Sequence, residues 1–331
     1  MFLLAVWPSP RTRGEERSTA QQSQQVSKAA HPLMLASSWA WALFTVVAAF
    51  SQTVRNAAQR QLTATLGTVG ATHVRFLFGF PFALVFLAGV LSATGASLPR
   101  PGLAYWAWVA DGALAQVAAT AAMLAAMNQR SFVVAIAYIK TEPVQVALFG
   151  LILLGDAVTP WLALAILVAT AGVVVMSLKP GAAAGGLRPT LSGLAAGAMF
   201  GLSAVGFRGA ILSLGLPSYL MAATFTLAVG LLLQSVLLSA YLWLRDPAVL
   251  TAIMRSWRPS LFAGFMGALA SQFWFLAFAL ATAASVRTLA LVEVLFAQAI
   301  SRFVFKQPTG RREAVGIVLI VIGCGLLIWV S

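Results

Sequence analysis

Charge is what this sequence has least of. Only 9% of its 331 residues are charged and 60% are hydrophobic, whereas a soluble protein carries roughly a quarter charged residues. Too little polar surface remains to face water all round, so lipid must be the solvent for most of the chain. Acid is scarcer still, with eight Asp and Glu against 21 Lys and Arg. The resulting excess of base does not describe a nucleic-acid surface, because the basic residues stand singly at the ends of apolar runs and within them. Lipid phosphate or solvent accounts for the two clusters, Arg311-Arg312 and Arg11 to Arg17. No nucleic-acid partner is expected.

Other absences narrow the chemistry. One cysteine, Cys324, and two histidines build neither a disulfide framework nor a metal cluster, so no metal and no cofactor is expected. Intramembrane hydrolysis needs a Gly-x-Ser-x-Gly elbow, a His-Glu-x-x-His helix or a pair of facing aspartates, and the chain has none of these; an enzyme is not expected. The short alternating strands of a membrane barrel are missing too. No appended domain suggests a scaffold or sensor.

Long apolar runs are what the chain does have. Taking about 20 residues per membrane crossing, ten helices are predicted at 38–56, 70–92, 103–127, 131–154, 158–178, 190–213, 218–244, 257–281, 285–305 and 312–330. The fold class is therefore all-α and integral to the membrane. Asn128-Gln129-Arg130 suits the turn of a helical hairpin. Residues 1–36 are polar and glutamine-rich after a short apolar start and are predicted as a disordered cytoplasmic tail, unless translation begins at Met34. Abundant alanine, and arginine outnumbering lysine, suit a GC-rich bacterium and hence a multi-pass protein of the bacterial plasma membrane.

The chain also repeats itself. An offset of 151 pairs Glu142 with Glu293, Gly172 with Gly323 and Asp156 with Gln307; an offset of 153 pairs Arg55-Asn56-Ala57 with Arg208-Gly209-Ala210. Two five-helix repeats follow, at 37–178 and 190–331, joined by a Pro/Gly/Ala-rich linker at 179–189. Five is odd, so the second repeat enters the membrane in the opposite sense. Such an inverted duplication places a binding site between the halves at mid-membrane.

Ionisable residues inside spans are costly and tend to face a bundle interior or a water-filled path. Lys140 and Glu142 lie some ten residues from either end of their span and point to opposite sides of a regular helix, so they do not neutralise one another. Glu142 shares a face with Tyr138, and Pro143 is expected to kink the helix and free a carbonyl near Ile139. These residues, with Glu293, Arg75, Asp111, Arg208, Gln116 and Gln272, are the candidate substrate- and proton-binding set. Against them stands a buried ion-pair network, Glu142 with Arg75 or Glu293 with Arg208. Asp111 is a candidate counter-ion for Arg75 or Lys140, and His73 reads as an interface residue. Gln116 and Gln272 either bind cargo or bridge helices. Arg55, Arg287 and Arg302, near span ends, have snorkelling to the headgroups as their alternative. The rings of Tyr105, Trp106, Trp108, Phe273, Trp274 and Phe275 read mostly as an interfacial belt or lipid-facing packing, with one or two of them lining a cavity.

The stretch SFVVAIAYIKTEPVQVALFGLILLGDAVTPWLALAILVATAGVVVMS resembles the EamA-type repeat of the drug/metabolite transporter superfamily. The resemblance rests on the mid-helix Pro143, the Gly155-Asp156 turn, Ala171-Gly172 before Val173-Val174, and Arg75 early in the second span. It extends over roughly 38–330, with Val294 and Lys306-Gln307 departing from it in the second half. It implies a ten-helix transporter with a central cavity, alternating access and small-metabolite cargo, commonly exported, with both termini in the cytoplasm; a count of basic connector residues would instead put the termini outside. Interior cations beside interior carboxylates suit amino acids or related carboxylates, with Glu142 or Glu293 carrying a coupling proton. The alternative is efflux of multiple drugs or cationic compounds. Expected partners are the small-molecule substrate, the bilayer and protons, for a monomer or homodimer.

Overall fold

The computed structural model describes residues 13–127, 138–177, 187–303, Lys306 and 310–331, with side chains except at 13–38, 60, 124–127, 187–190 and 300–301. The hairpin turn expected at 128–130, most of the linker and Gln307 lie outside the described residues. Contacts divide the chain into Met1–Ala40 and Trp41–Ser331. Within the first unit, helix α1 (Arg13–Leu77) already begins at Arg13, inside the stretch expected as a disordered tail. That stretch has neither glycine nor proline from Glu15 to His31 and is rich in the good helix formers Gln, Ala, Glu and Arg.

All regular structure among the described residues is helical. α1 runs on through the connector expected after residue 56 and breaks only at Gly67, whose φ of 67° is left-handed and open to glycine at no steric cost. Phe78 separates it from α2 (Gly79–Thr94). There follow α3 (Leu103–Met127), α4 (Glu142–Phe149, prolonged by a π-helical turn at Gly150–Leu154), α5 (Pro160–Ser177), α6 (Leu187–Ser213) and α7 (Tyr219–Arg245). The short α8 (Pro247–Arg255), which the apolar runs do not announce, buries Ile253 beside Leu62 and Leu66. The chain ends with α9 (Trp257–Leu280), α10 (Ala283–Leu289), α11 (Val292–Phe303) and α12 (Arg311–Val330). Among the described residues, six helical stretches are long and apolar enough to cross a membrane. The protein is a membrane-embedded helical bundle.

Small residues set the closest crossings, as expected where lipid supplies no hydrophobic drive between helices. α3 packs along α6 and α5 along α12. A Cβ on Gly206 would come within 2.7 Å of the Gly112 nitrogen, and one on Gly209 within 2.6 Å of the Trp108 ring. At the α5–α12 crossing, a Cβ on Gly172 would lie 2.8 Å from the Ile320 nitrogen, and one on Gly323 would lie 2.5 Å from the Ala169 nitrogen. These two contacts are reciprocal: adding 151 to Gly172 and to Ala169 gives Gly323 and Ile320. α2 likewise packs on α7, and α4 on α10.

Candidate functional site

Two interrupted helices meet at the site. The helix leading into α4 is broken at the Lys140–Thr141 turn, where the Thr141 N–H and hydroxyl both donate to the Tyr138 carbonyl, at 3.1 and 2.7 Å. Glu142 and Pro143 open the next segment. The corresponding break between α10 and α11 falls at Ala290–Leu291 and is closed the same way, Leu291 N donating to the Thr288 carbonyl at 3.1 Å. Glu293 follows it within two residues, although Val294 stands where the first half has proline. A short 3₁₀-like turn therefore interrupts both helices, with proline or without it. In the first half the carbonyl that the turn engages is that of Tyr138. The Ile139 carbonyl, expected to be free for cargo, lies against Gly197 of α6, 3.2 Å from where a Cβ there would stand.

The breaks open on a cavity of about 90 Å³, room for a few water-sized groups. Its wall carries Lys140, Glu142, Arg287 and Glu293 from the broken helices. Gln52, Arg55, Asn56, Gln59 and Arg75 come from α1, Gln116 and Thr120 from α3, and Phe200, Ser203 and Phe207 from α6. Ser271, Trp274, Phe275 and Phe278 come from α9, and Ile139 lies beside the first break. Two of the ion pairs that join the halves lie at this cavity. Arg287 grips Glu142 with both prongs of its guanidinium, Nε to Oε1 at 2.6 Å and Nη2 to Oε2 at 2.7 Å, and lies over the Trp274 ring 5.2 Å from its centroid. Lys140 pairs with Glu293, which also accepts from Gln52 Nε2 at 2.8 Å. Gln52 in turn accepts from the Trp274 indole N–H at 3.2 Å. A fork-to-fork arginine pair is more rigid and directional than a lysine point charge.

Of the residues singled out in the sequence, Lys140, Glu142, Glu293, Arg75 and Gln116 line this cavity. Tyr138 does not; its carbonyl serves the break. Glu142 pairs with Arg287 and Glu293 with Lys140, neither of which is the pairing the sequence suggested. Arg287, near a helix start and so open to snorkelling, is instead partly buried in the wall of the site, paired with Glu142. Arg208 does not pair with Glu293. It donates to the carbonyls of Phe278 and Ala281, at 2.6 and 2.5 Å, and to Asp156 at 3.3 Å, tying the end of α9 to the Gly155–Asp156 turn. Asp111 is no counter-ion to Arg75 or Lys140; its Oδ2 lies against Gly206 of α6 and accepts no hydrogen bond from the described residues. Gln272 bridges α9 to Thr224 of α7 at 2.8 Å, and His73 meets Ser239 at 2.9 Å. Trp274 and Phe275 are the rings of the expected aromatic set that reach the cavity.

Arg55 is only 4% exposed and faces inward, so it does not snorkel. With Gln52, Asn56 and Gln59 it forms an i, i+3, i+4, i+7 polar stripe, the spacing of one helix face. That stripe was in the sequence, but an apolar run counted as ending at residue 56 cuts through it.

No protein-family model and no curated protein matches the chain. Among solved structures, 26 chains are similar. One protein crystal structure, 15% identical, aligns over 89% of this chain and 99% of its own with a TM-score of 0.64. At that identity the likeness is one of fold alone.

Proposed function

We propose that this protein is a secondary transporter of small polar metabolites such as amino acids or related carboxylates, working by alternating access in a bacterial plasma membrane. The observation that carries the proposal is the cavity itself: an apolar bundle encloses a charged hollow to which two interrupted helices from opposite halves each bring a glutamate. Charged side chains inside a membrane bundle mark substrate and ion paths, and interrupted helices at a repeat interface are how transporters build binding sites. Ten spans as two inverted five-helix repeats of the EamA type fit this reading. The reciprocal Gly172–Ile320 and Ala169–Gly323 contacts support it, as does the pairing of α2 with α7 and of α5 with α12, each a helix against its own counterpart.

Alternating access requires the two halves to part, and the inter-half ion pairs are the contacts that must exchange. Lysine can release a proton where arginine cannot, so the Lys140–Glu293 pair suits proton coupling better than the Arg287–Glu142 fork. The test is flux into proteoliposomes containing the purified chain, with and without a pH gradient, for a panel of amino acids and carboxylates. Flux above that of protein-free vesicles, with its pH dependence lost in Glu293→Gln, is the expected result. Absence of flux for every panel member, from a protein that melts cooperatively, would overturn the reading.

A further inference from the structure

The cavity wall carries four cations, Arg55, Arg75, Lys140 and Arg287, and two carboxylates, Glu142 and Glu293. Each carboxylate is taken by one cation, so two positive charges remain, and they belong to Arg55 and Arg75. Both side chains are at least nine-tenths buried, with residue exposures of 4% and 5%. Neither makes an ion pair among the described residues. Arg55 Nη2 donates to Asn56 Oδ1 at 2.7 Å, but Arg55 Nε and Nη1 and Arg75 Nε donate to nothing described. The two stems converge on Gly267 of α9: a Cβ there would lie 3.2 Å from Arg75 Cγ and 3.4 Å from Arg55 Cδ. Arg75 is further held against the face of Phe76, 5.1 Å from the ring centroid.

An arginine keeps its charge in a protein, and two adjacent unpaired guanidiniums in a desolvated hollow repel one another and cost free energy. A structure retains such an arrangement when something else completes it. Arg208, at the matching position of the second half, shows what a structurally employed arginine looks like here, with two carbonyls and a carboxylate on its guanidinium. Arg55 has no such set.

We propose that Arg55 and Arg75 form an anion-binding site and that the cargo is a compact dianion, a dicarboxylate or a phosphate monoester, whose two negative charges meet the uncompensated pair. Planar forked donors suit both acidic groups. On the same wall, Gln116 has an amide NH₂ to offer an anion while its Oε1 accepts from Gln234 at 2.8 Å; Gln59 already donates to the Ala71 carbonyl at 2.6 Å. The site of Proposed function is thereby given a substrate class. The proposal rests on the transporter reading only for the word cargo.

The test uses the full-length protein in detergent, reading thermal unfolding against titrations of succinate, glycerol phosphate, alanine, sodium chloride and tetraphenylphosphonium. Succinate or glycerol phosphate is expected to raise the melting temperature saturably, and alanine and tetraphenylphosphonium are not. Arg55→Met and Arg75→Met should each weaken the dianion by about 30-fold or more, the loss of one buried charged partner, while the ligand-free variants melt no lower than the parent. Arg302→Gln, on an exposed position, is the control. No shift with either dianion overturns the site. So do methionine variants that melt lower with dianion affinity unchanged, which would make the arginines structural. Chloride alone saturating the site with the same arginine dependence makes it a resident inorganic-anion site and overturns the cargo assignment. Flux in proteoliposomes separates the two readings: dianion binding without flux of any substrate sinks transport and leaves the anion site, whereas alanine flux without dianion binding does the reverse.

Discussion

Arg55 and Arg208 stand at matching positions of the two halves, each followed two residues later by alanine, and they do opposite things. Arg208 spends its guanidinium on the protein. It caps the exposed carbonyls at the end of α9, where a helix leaves its last acceptors unsatisfied, and reaches Asp156 across a turn. Arg55 keeps most of its guanidinium unspent and faces the cavity. The acids explain part of the divergence, because Asp156 has an uncharged counterpart in sequence, Gln307. On the proposed duplication, one copy of the arginine remained a fastener and the other, lacking a carboxylate, became available to a ligand.

Removing each arginine is the most direct way to break that comparison, and it carries the largest expected effect. Arg208→Met leaves Asp156 and two carbonyls without their donor and should destabilise the bundle by about 3–5 kcal/mol, the usual cost of removing one member of a buried charged network. Arg55→Met removes a charge that has no counter-ion and should not lower stability in the absence of ligand. Thermal or denaturant unfolding in one detergent measures both. Equal destabilisation by the two variants would erase the distinction between fastener and binding group.

The two glutamates sharpen the comparison at smaller amplitude. Glu142 is held by a bidentate arginine that is itself stacked on Trp274, whereas Glu293 is held by a more exposed lysine, Lys140 at 25% side-chain exposure, and by the Gln52 amide. Glu142→Gln should therefore cost about 3–5 kcal/mol and Glu293→Gln about 1.5–3 kcal/mol, the value of a charged hydrogen bond. Transport should respond the other way round, with pH dependence vanishing in Glu293→Gln. Unfolding free energies in the reverse order would show that the lysine pair, not the arginine fork, holds the halves together.

Legibility in the sequence followed the same division. Apolar runs reveal helices wherever lipid-facing residues dominate, and the 151-residue offset finds the glutamates and the glycines of the α5–α12 crossing. Lys140, Glu142, Glu293, Arg75 and Gln116 stand out because a charge or amide far from the end of an apolar run has few explanations. Arg55 and Arg287 were harder to place, since distance from the end of an apolar run is a poor measure of depth. α1 stays helical well past the point where its hydropathy falls, and Arg287 lies one turn before a break that no proline announces. Partners were not legible at all. Glu293 and Gln52 are 241 positions apart, and nothing local to either residue names the other. For the same reason Asp111 and Gln272 could not be told apart from Gln116, which lines the cavity and also bridges α3 to Gln234 of α7 at 2.8 Å; whether such a group meets a cavity, a neighbouring helix or both depends on how α3, α7 and α9 are rotated against one another.

The smallest effect concerns the breaks themselves. Pro143 has no N–H to give, and the turn before it is closed by Thr141 instead. In the second half Val294 N donates to the Leu291 carbonyl at 3.0 Å. If the turn rather than the proline defines the break, Pro143→Val should leave flux and stability close to the parent. Val294→Pro should lose one hydrogen bond, about 1 kcal/mol, and little more, because proline is tolerated in the first turn of a helix. A large loss in Pro143→Val with Val294→Pro silent would mean that the first break depends on its proline, and that the two interrupted helices reach the same shape by different means.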